Sequence, residues 1–220
     1  MADSSSRRSF LFGRQATAHD EWSKFVVTLR RCCQGTVKLV TQRSAHLKPA
    51  TLDDVIKARK LCHTHQIVMA LDGLDLPVSE QGKFVLRVEA GSAWGSLIPL
   101  GDTGLWRVDA GCPMAVMQAA GLVQATESPK ITNLAQWYAS AYRYQPLTGS
   151  GLADGLVSVD WLLPDGTIEV FGAFGANDAQ PLGSLAAQKL VPTLFELSLR
   201  PEVQDCLAQG HWPSRFHLDA

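Results

Sequence analysis

The sequence predicts an α+β fold, in which a small α/β subdomain is followed by a mixed β-sheet subdomain flanked by helices. Three segments carry this prediction. Residues 37–73 predict a strand, a helix and a second strand in succession, residues 83–126 predict a β-rich section with one short helix, and residues 157–171 predict a hairpin. With 220 residues, 46% of them hydrophobic, the chain is long enough to bury a sizeable core.

The first two helices are indicated by apolar spacing and by a cap. Residues 20–33 predict an amphipathic helix, because their apolar residues recur at helical spacing. These residues are Trp22, Phe25, Val26, Leu29 and Cys32. Thr51 can cap a second helix through its hydroxyl, with Asp53 and Asp54 at its positive amino end. The apolar side of that helix is expected to hold Leu52, Val55, Ile56, Leu61 and Cys62. A buried strand at 67–71 follows.

The later elements are delimited by proline and glycine. Pro113 suits the first position of a short helix, and Gly121 stands where a left-handed cap is needed. The Pro-Asp-Gly sequence at 164–166 predicts a hairpin turn. Pro192 is expected to kink or restart the helix predicted at 185–199.

These elements predict three parts along the chain. They are a flexible basic arm at 1–18, an N-terminal α/β subdomain at 19–82, and a β-rich subdomain with C-terminal helices at 83–220. The net charge is −1, which provides no overall field to attract nucleic acid. No stretch approaches the ~20 apolar residues that a membrane-spanning helix needs. We therefore expect neither a nucleic-acid partner nor a transmembrane segment.

The compartment is predicted from the cysteines and the amino-terminal arm. Five cysteines, an odd number in a chain of this size, indicate reduced thiols and a cytoplasmic location. Arg7 and Arg8, followed by Phe10 and Leu11, match the bacterial twin-arginine export pattern. The apolar run of ~7–15 residues that an export signal requires does not follow. Periplasmic export is therefore the alternative, and a third interpretation retains the arm as a leader that recruits an assembly chaperone.

Residues 47–73 resemble the opening of the PCMH-type FAD-binding domain of vanillyl-alcohol oxidases and glycolate-oxidase-like enzymes. That opening has a proline-led edge strand, a Thr-capped or Ser-capped helix and a second strand. Further segments follow in the family's order: a hairpin at 104–112, the Gly121-Leu122 pair, Ile131–Ala135 in place of a Thr-x-Gly-Gly motif, and a Leu-Pro-Asp-Gly turn at 163–166. The resemblance covers about residues 37–175 and implies a PCMH-type fold.

The resemblance also implies FAD as the cofactor, with its diphosphate held by glycine-rich segments. The residues expected to contact it are Asp72, Gly73, Leu74, Asp75, Thr132, Asn133, Thr148, Gly149, Ser150 and Gly151. Glycines matter there because they let backbone N–H groups converge on the phosphates. This chain replaces the family's Gly-Gly-Gly loop by residues 72–75 and its Gly-Gly pair by Asn133-Leu134. A carboxylate ~4 Å from a phosphate charge costs on the order of 4 kcal/mol at an effective dielectric of ~20. The alternative is an ordinary surface loop after a strand.

The remaining candidates are single residues and one aromatic run. We predict no metal site at the Cys-His-Thr-His sequence of 62–65, because adjacent side chains diverge and no second cluster supplies a fourth ligand. Cys32 and Cys33 are predicted not to face one partner. Cys112, before a helix amino end, is either a reactive thiol of lowered pKa or a small buried residue. Trp137, Tyr138, Tyr142 and Tyr144 are interpreted as packing residues, or else as a flavin-stacking or partner-binding face.

Two functions follow from these predictions. The first is an FAD-binding subunit of a flavin-dependent oxidoreductase that acts on a small, hydroxy-acid-like substrate. Because only 45 residues follow Gly175, a partner would supply the substrate domain or accept the electrons. The alternative is a flavin-free accessory or assembly protein that retains the fold. No residue is singled out as catalytic.

Overall fold

A computed structural model describes residues 18–74, 80, 82–91, 94–122, 132–137, 157–172 and 181–208. The helices are α1 (Ala18–Cys32), α2 (Leu52–His65), α3 (Met114–Ala119), α4 (Leu185–Ser198) and α5 (Pro201–Ala208). The strands are β1 (Thr36–Thr41), β2 (Ser44–Lys48), β3 (Val68–Leu71), β4 (Val85–Val88), β5 (Leu97–Pro99), β6 (Trp106–Val108), β7 (Ser158–Leu162) and β8 (Ile168–Gly172). The predicted α+β class is confirmed. Among the described residues, no helix has the length and apolar character needed to cross a bilayer.

The main sheet has four strands in the order β1-β2-β4-β3. β1 and β2 form an antiparallel hairpin, whereas β2, β4 and β3 run parallel. Parallel strands require a crossover connection, and α2 provides it between β2 and β3. β4 inserts between those two strands, although it follows both in the chain. The sheet thus contains strands from both sides of the boundary predicted between residues 82 and 83.

One core cluster joins α1 and α2 to this sheet. Its buried side chains are Trp22, Phe25, Val26, Leu29 and Cys33 around α1, Val55, Ala58 and Cys62 of α2, and Ala45, Leu47, Ile67, Leu86 and Val88 of the sheet region. Trp22 stacks on Phe25 and on Phe84, with ring centroids 5.5 and 5.1 Å away. Side chains alternate along a strand, so His46 and Arg87 lie on the face opposite the core.

The predicted apolar faces of the two helices agree with this core in part. On α1, four of the five predicted residues are buried, but Cys33 takes the buried position expected for Cys32. On α2, Leu52 was predicted to be buried but is 44% exposed, whereas Ala58, which was not predicted, is buried. Ala58 was missed because alanine contributes little apolar surface to a sequence pattern.

The buried carboxylate of Asp54 connects the ends of α1 and α2. Its oxygens accept hydrogen bonds from the backbone N–H groups of Gln34, Gly35 and Ala50, at 2.8, 2.8 and 2.9 Å. Burial by itself raises the pKa of this carboxyl, but the hydrogen bonds outweigh burial and hold the pKa below its ordinary value. The sequence had indicated only a favourable charge at the start of α2.

The caps and turns behave largely as their residue types predict. The Thr51 hydroxyl accepts a hydrogen bond from the Asp54 N–H at 3.3 Å, which confirms the cap of α2. Gly121 has φ 73°, in the left-handed region. The predicted hairpin joins β7 and β8, and its turn contains Gly166 with φ 80°. Of the two outcomes predicted at Pro192, the restart is wrong, since α4 continues through this residue, and the kink stays a prediction.

Candidate functional site

The candidate site lies where the parallel strands β3 and β4 end. Residues 72–74 follow β3 directly, and residues 132–136 come against them from further along the chain. These are two of the three segments that the resemblance assigns to FAD. The remaining residues expected at the site, Asp75, Thr148, Gly149, Ser150 and Gly151, lie outside the described residues.

Gln136 connects the two segments. Its side-chain Nε2 donates to the carbonyl oxygen of Asp72 at 2.9 Å. Its Oε1 accepts from both the N–H and the hydroxyl of Thr132, at 2.9 and 3.0 Å. Gly73 has φ 82°, and a Cβ at this position would lie 2.8 Å from Nε2 of Gln136. The glycine is therefore needed for its own backbone conformation and for the close approach of Gln136.

Asn133, in the same segment, forms hydrogen bonds within the chain. Its side chain is buried, accepts from the N–H of Gln136 at 2.9 Å and donates to the carbonyl oxygen of Ala90 at 3.3 Å. Its backbone forms a bridge with Pro113, just before α3. Leu134 and Trp137 pack against a second core cluster, which consists of Cys112, Met114 and Met117. One member of the predicted aromatic run is thus a packing residue, while Tyr138, Tyr142 and Tyr144 lie outside the described residues.

Most of the backbone donors in the described part of the site are already used. Binding a diphosphate requires several N–H groups that converge on it without other partners. The N–H groups engaged within the chain are those of Asp72 with Val88, Leu74 with Leu71, Thr132 and Gln136 with side chains, Leu134 with Cys112, and Ala135 with Ala110. The two segments meet through Gln136, but most of their N–H groups already bond to other groups of the chain.

The side chains around this edge of the sheet form a mixed-charge surface. The Asp72 carboxylate lies 3.1 Å from Nε2 of His46 on β2. Arg87 of β4 donates to the carbonyl oxygen of Leu74 at 2.8 Å. Lys48 and Glu89 form a further ion pair at 3.0 Å, which is largely exposed on the lysine side. The edge carries the basic side chains of Arg87 and Lys48 together with the carboxylates of Asp72 and Glu89, so it is not a uniformly positive surface for an anion.

Cys112 does not have the properties of an activated thiol. Its side chain is buried, and burial, with Asp109 nearby, raises the pKa of the thiol. The prediction of a lowered pKa is therefore wrong, and the alternative prediction of a small buried residue is confirmed.

The candidate ligands at 62–65 differ in burial: Cys62 is buried, His65 is half-buried and His63 is exposed. Burial raises the pKa of the Cys62 thiol to about 12. Cys62 and His63 both line a cleft of about 320 Å³ between α2 and the β7–β8 turn, together with Arg59 and Pro164, while His65 lies 3.5 Å from Glu21. Within the described ranges, no three His, Cys, Asp or Glu side chains come together as a metal site.

Sequence reasoning missed Gln136 at this site and, at the start of α2, the buried hydrogen bonds of Asp54. No motif marks either role, because each side chain bonds to backbone groups distant in sequence, Asp72 for Gln136 and Gln34 and Gly35 for Asp54. No protein-family model matches the chain, and no curated protein matches it at a significant level.

Proposed function

We propose that this chain is a flavin-free accessory or assembly protein that retains a PCMH-type fold. The proposal is supported by the backbone N–H groups of residues 72–74 and 132–136, most of which already have acceptors within the chain. The Gln136 side chain connects the two segments. FAD would have to break these bonds before its diphosphate could use the same donors.

The charge of Asp72 supports the same proposal. Its carboxylate lies beside the loop and pairs with His46. A diphosphate in this place would meet a negative charge at short range, at a cost on the order of 4 kcal/mol for a separation of ~4 Å.

An accessory role requires a partner, and α4 offers exposed apolar side chains as a surface for it. Leu185, Phe195 and Leu199 are 66, 64 and 60% exposed. At 100° per residue these three side chains lie on one side of the helix. We propose that the partner is a substrate-domain or electron-transfer subunit of a flavin-dependent oxidoreductase. We propose a cytoplasmic location, because the four cysteines of the described part are free thiols.

The second candidate is an FAD-binding subunit acting with such a partner on a small hydroxy acid. One observation favours it. The two segments to which the resemblance assigns the diphosphate do meet at the carboxyl ends of parallel strands, where open α/β sheets bind ligands. His46 and Arg87 stand at the same edge and could provide positive charge.

The absorbance spectrum and melting temperature of the purified chain, with and without millimolar FAD, distinguish the two functions. The accessory proposal expects a colourless protein whose melting temperature FAD does not change. The FAD-binding proposal expects flavin absorbance that stays with the protein and a higher melting temperature, because a ligand stabilises the state that it binds. A yellow protein would overturn the accessory proposal.

The Asp72→Asn variant makes this test sharper. If FAD binds, removal of the carboxylate charge increases the FAD-induced rise in melting temperature. If FAD does not bind, neither the native chain nor the variant responds. Asp102→Asn, in the exposed turn between β5 and β6, is the matched control and leaves the response unchanged.

A further inference from the structure

The cleft between α2 and the β7–β8 turn combines buried apolar residues with exposed polar ones. Its volume of about 320 Å³ falls at the small end of the range of ligand pockets, roughly 300 to 1,000 Å³. Cys62 and Ile67 are buried, whereas His63 and Gln66 are exposed. Arg59 and Pro164 complete the lining. A ligand in this place would therefore meet both apolar surface and hydrogen-bond donors.

The two walls of the cleft lie close to each other. A Cβ on Gly166, in the β7–β8 turn, would collide with the side chain of Lys60 on α2. Leu163, where this turn begins, is buried. The turn is therefore packed against the helix, and the cleft between them has a defined shape before any ligand binds.

Arg59 is a cation without a partner in the described part of the chain. Its Nε–H is buried, and no described group accepts a hydrogen bond from it. None of the ion pairs among the described residues includes Arg59, whereas Lys57 on the same helix pairs with Asp53. A buried donor without an acceptor costs free energy, and an anion on the guanidinium would offset part of this cost. Such an anion can reach the outer nitrogens, Nη1 and Nη2, which are not buried in this way.

The side chains around Arg59 are mostly basic. Lys60 follows it on α2, and His63 lies one turn further along the same helix. The turn contributes one carboxylate, that of Asp165, which accepts the N–H of Thr167 at 2.9 Å. This hydrogen bond, and to a smaller extent the charge of His63, hold the pKa of Asp165 below its ordinary value. Arg59 and Lys60 thus outnumber the single carboxylate of the turn, which favours an anion as the ligand.

The backbone of Gln66 also points to a ligand. Among the described residues it is the one non-glycine with a positive φ, at 54°. Glycine adopts this conformation at lower cost. The chain instead has a long amide side chain there, which lines the cleft and has no hydrogen bond to another described group. Residues in such unfavourable conformations are concentrated at binding sites.

We propose that this cleft binds a small organic carboxylate. The guanidinium of Arg59 presents paired N–H groups that match the two oxygens of a carboxylate, and the Gln66 amide is a further donor for them. Ile67 and Pro164 provide apolar surface for a short hydrocarbon body, from which an inorganic phosphate would gain nothing. This site goes beyond the proposed accessory function and does not depend on it.

Saturation-transfer NMR with butyrate, on the native full-length chain, tests the proposal. We expect saturable binding with a Kd on the order of 1 mM, as is usual for so small a ligand. Butyramide has the same shape without the charge and should bind at least about tenfold more weakly. Inorganic phosphate at the concentration of butyrate should not displace it. A chain without saturable butyrate binding, or one that binds butyramide equally well, would overturn the proposal.

Arg59→Gln removes the charge from the cleft and should weaken butyrate binding at least about tenfold. Arg31→Gln, at an exposed position of α1, is the matched control and should bind as the native chain does. Circular dichroism shows whether each variant is folded. A folded Arg59→Gln variant of undiminished affinity would overturn the proposal.

Gln66→Gly separates a binding role from a structural one. Its melting temperature should equal or exceed that of the native chain, because glycine takes the left-handed conformation more easily. Its affinity for butyrate should nevertheless fall by about threefold or more, since one donor is lost. Unchanged affinity in this variant would overturn the assignment of Gln66 to the site. Failure of any of these tests leaves the accessory function as it stands, because neither a flavin nor a partner is involved.

Discussion

Asp53 and Asp54 are adjacent carboxylates in the first turn of α2 with different surroundings. Asp53 is exposed and forms an ion pair with Lys57, one turn further along. Asp54 is fully buried and accepts three backbone hydrogen bonds from the segments around it. The sequence treats the two alike, because both favour the amino end of a helix. Only Asp54 connects segments that are distant in sequence.

Replacing Asp54 by Asn should lower the free energy of unfolding by about 3 kcal/mol, because charged hydrogen bonds to Gln34, Gly35 and Ala50 are weakened and the buried amide brings donors toward donors. Asp53→Asn is the matched control and should cost about 0.5 kcal/mol, as is typical of an exposed ion pair. Urea denaturation measures both variants. Equal losses would show that the buried hydrogen bonds contribute nothing specific.

The same carboxylate should make stability depend on pH. Its pKa is lower in the folded chain than in the unfolded chain, so its contribution is fully present above the ordinary Asp pKa of about 3.9 and is lost as pH falls through the folded value. The free energy of unfolding should therefore decline below about pH 4 more steeply in the native chain than in Asp54→Asn. Parallel curves for the two proteins would contradict this expectation.

Gln136 tests whether the two segments at the candidate site stabilise each other. Gln136→Ala removes its bonds to Asp72 and Thr132 and should lower the free energy of unfolding by about 1 to 3 kcal/mol. Gln188→Ala, which loses one exposed bond to Leu182, is the control and should cost less than about 1 kcal/mol. Urea denaturation again provides the comparison.

At the scale of single elements, local signals predicted helix beginnings better than helix ends. Thr51 caps α2 as its residue type indicates. The carboxyl end of α2 was not predicted. There Gln66 takes the left-handed conformation that glycine usually adopts, with φ 54°. The N–H of Gln66 bonds to the carbonyl oxygen of His63, and the N–H of Ile67 bonds to that of Cys62. These bonds, with the burial of Ile67, compensate for the unfavourable backbone.

The cap of α2 should contribute measurably to stability. Thr51→Ala removes the acceptor for the N–H of Asp54 and should lower the free energy of unfolding by about 1 kcal/mol. Thr64→Ala, near the other end of the helix, loses only a bond from its exposed hydroxyl to the Lys60 carbonyl and should change stability by less than about 0.5 kcal/mol. Thermal unfolding measures both, and the cap is unimportant if their midpoints coincide.

At the scale of the whole molecule, Gly111 joins the segment after β4 to the second core cluster. Its N–H bonds to the carbonyl oxygen of Trp94 at 3.1 Å, and a Cβ on this residue would collide with the carbonyl oxygen of Gly91. Both neighbours are backbone atoms, so a larger side chain must force the two segments apart. Cys112, which follows directly, belongs to that cluster.

Gly111→Ala should therefore lower the free energy of unfolding by about 1 to 3 kcal/mol, the usual cost of forcing extra atoms into a packed site. Gly91→Ala is the matched control. Its Cβ would meet only the flexible Glu89 side chain at 3.8 Å, so its effect should stay within about 0.5 kcal/mol. Similar losses in both variants would mean that the approach of the two segments is not close.

The sequence by itself determined the features that depend on neighbours a few residues away. These are the apolar side of α1, the cap at Thr51, the Pro-Asp-Gly turn and the α+β class. The residue types and spacings that indicate them lie within one helix, one turn or one hairpin, so they can be recognised without knowledge of the distant contacts.

Only the tertiary structure decided the position of β4, the role of Asp54, the 3.9 Å approach of the Cys32 and Cys33 sulfurs and the hydrogen bonds at the candidate site. Asp72 and Gln136 are 64 residues apart, and their hydrogen bond depends on the whole path of the chain between them. Buried polar groups must find partners, but any backbone group that the fold brings near can satisfy them. The sequence could therefore indicate which residues the family resemblance assigns to a diphosphate. Whether those residues have free donors depends on the hydrogen bonds within this chain.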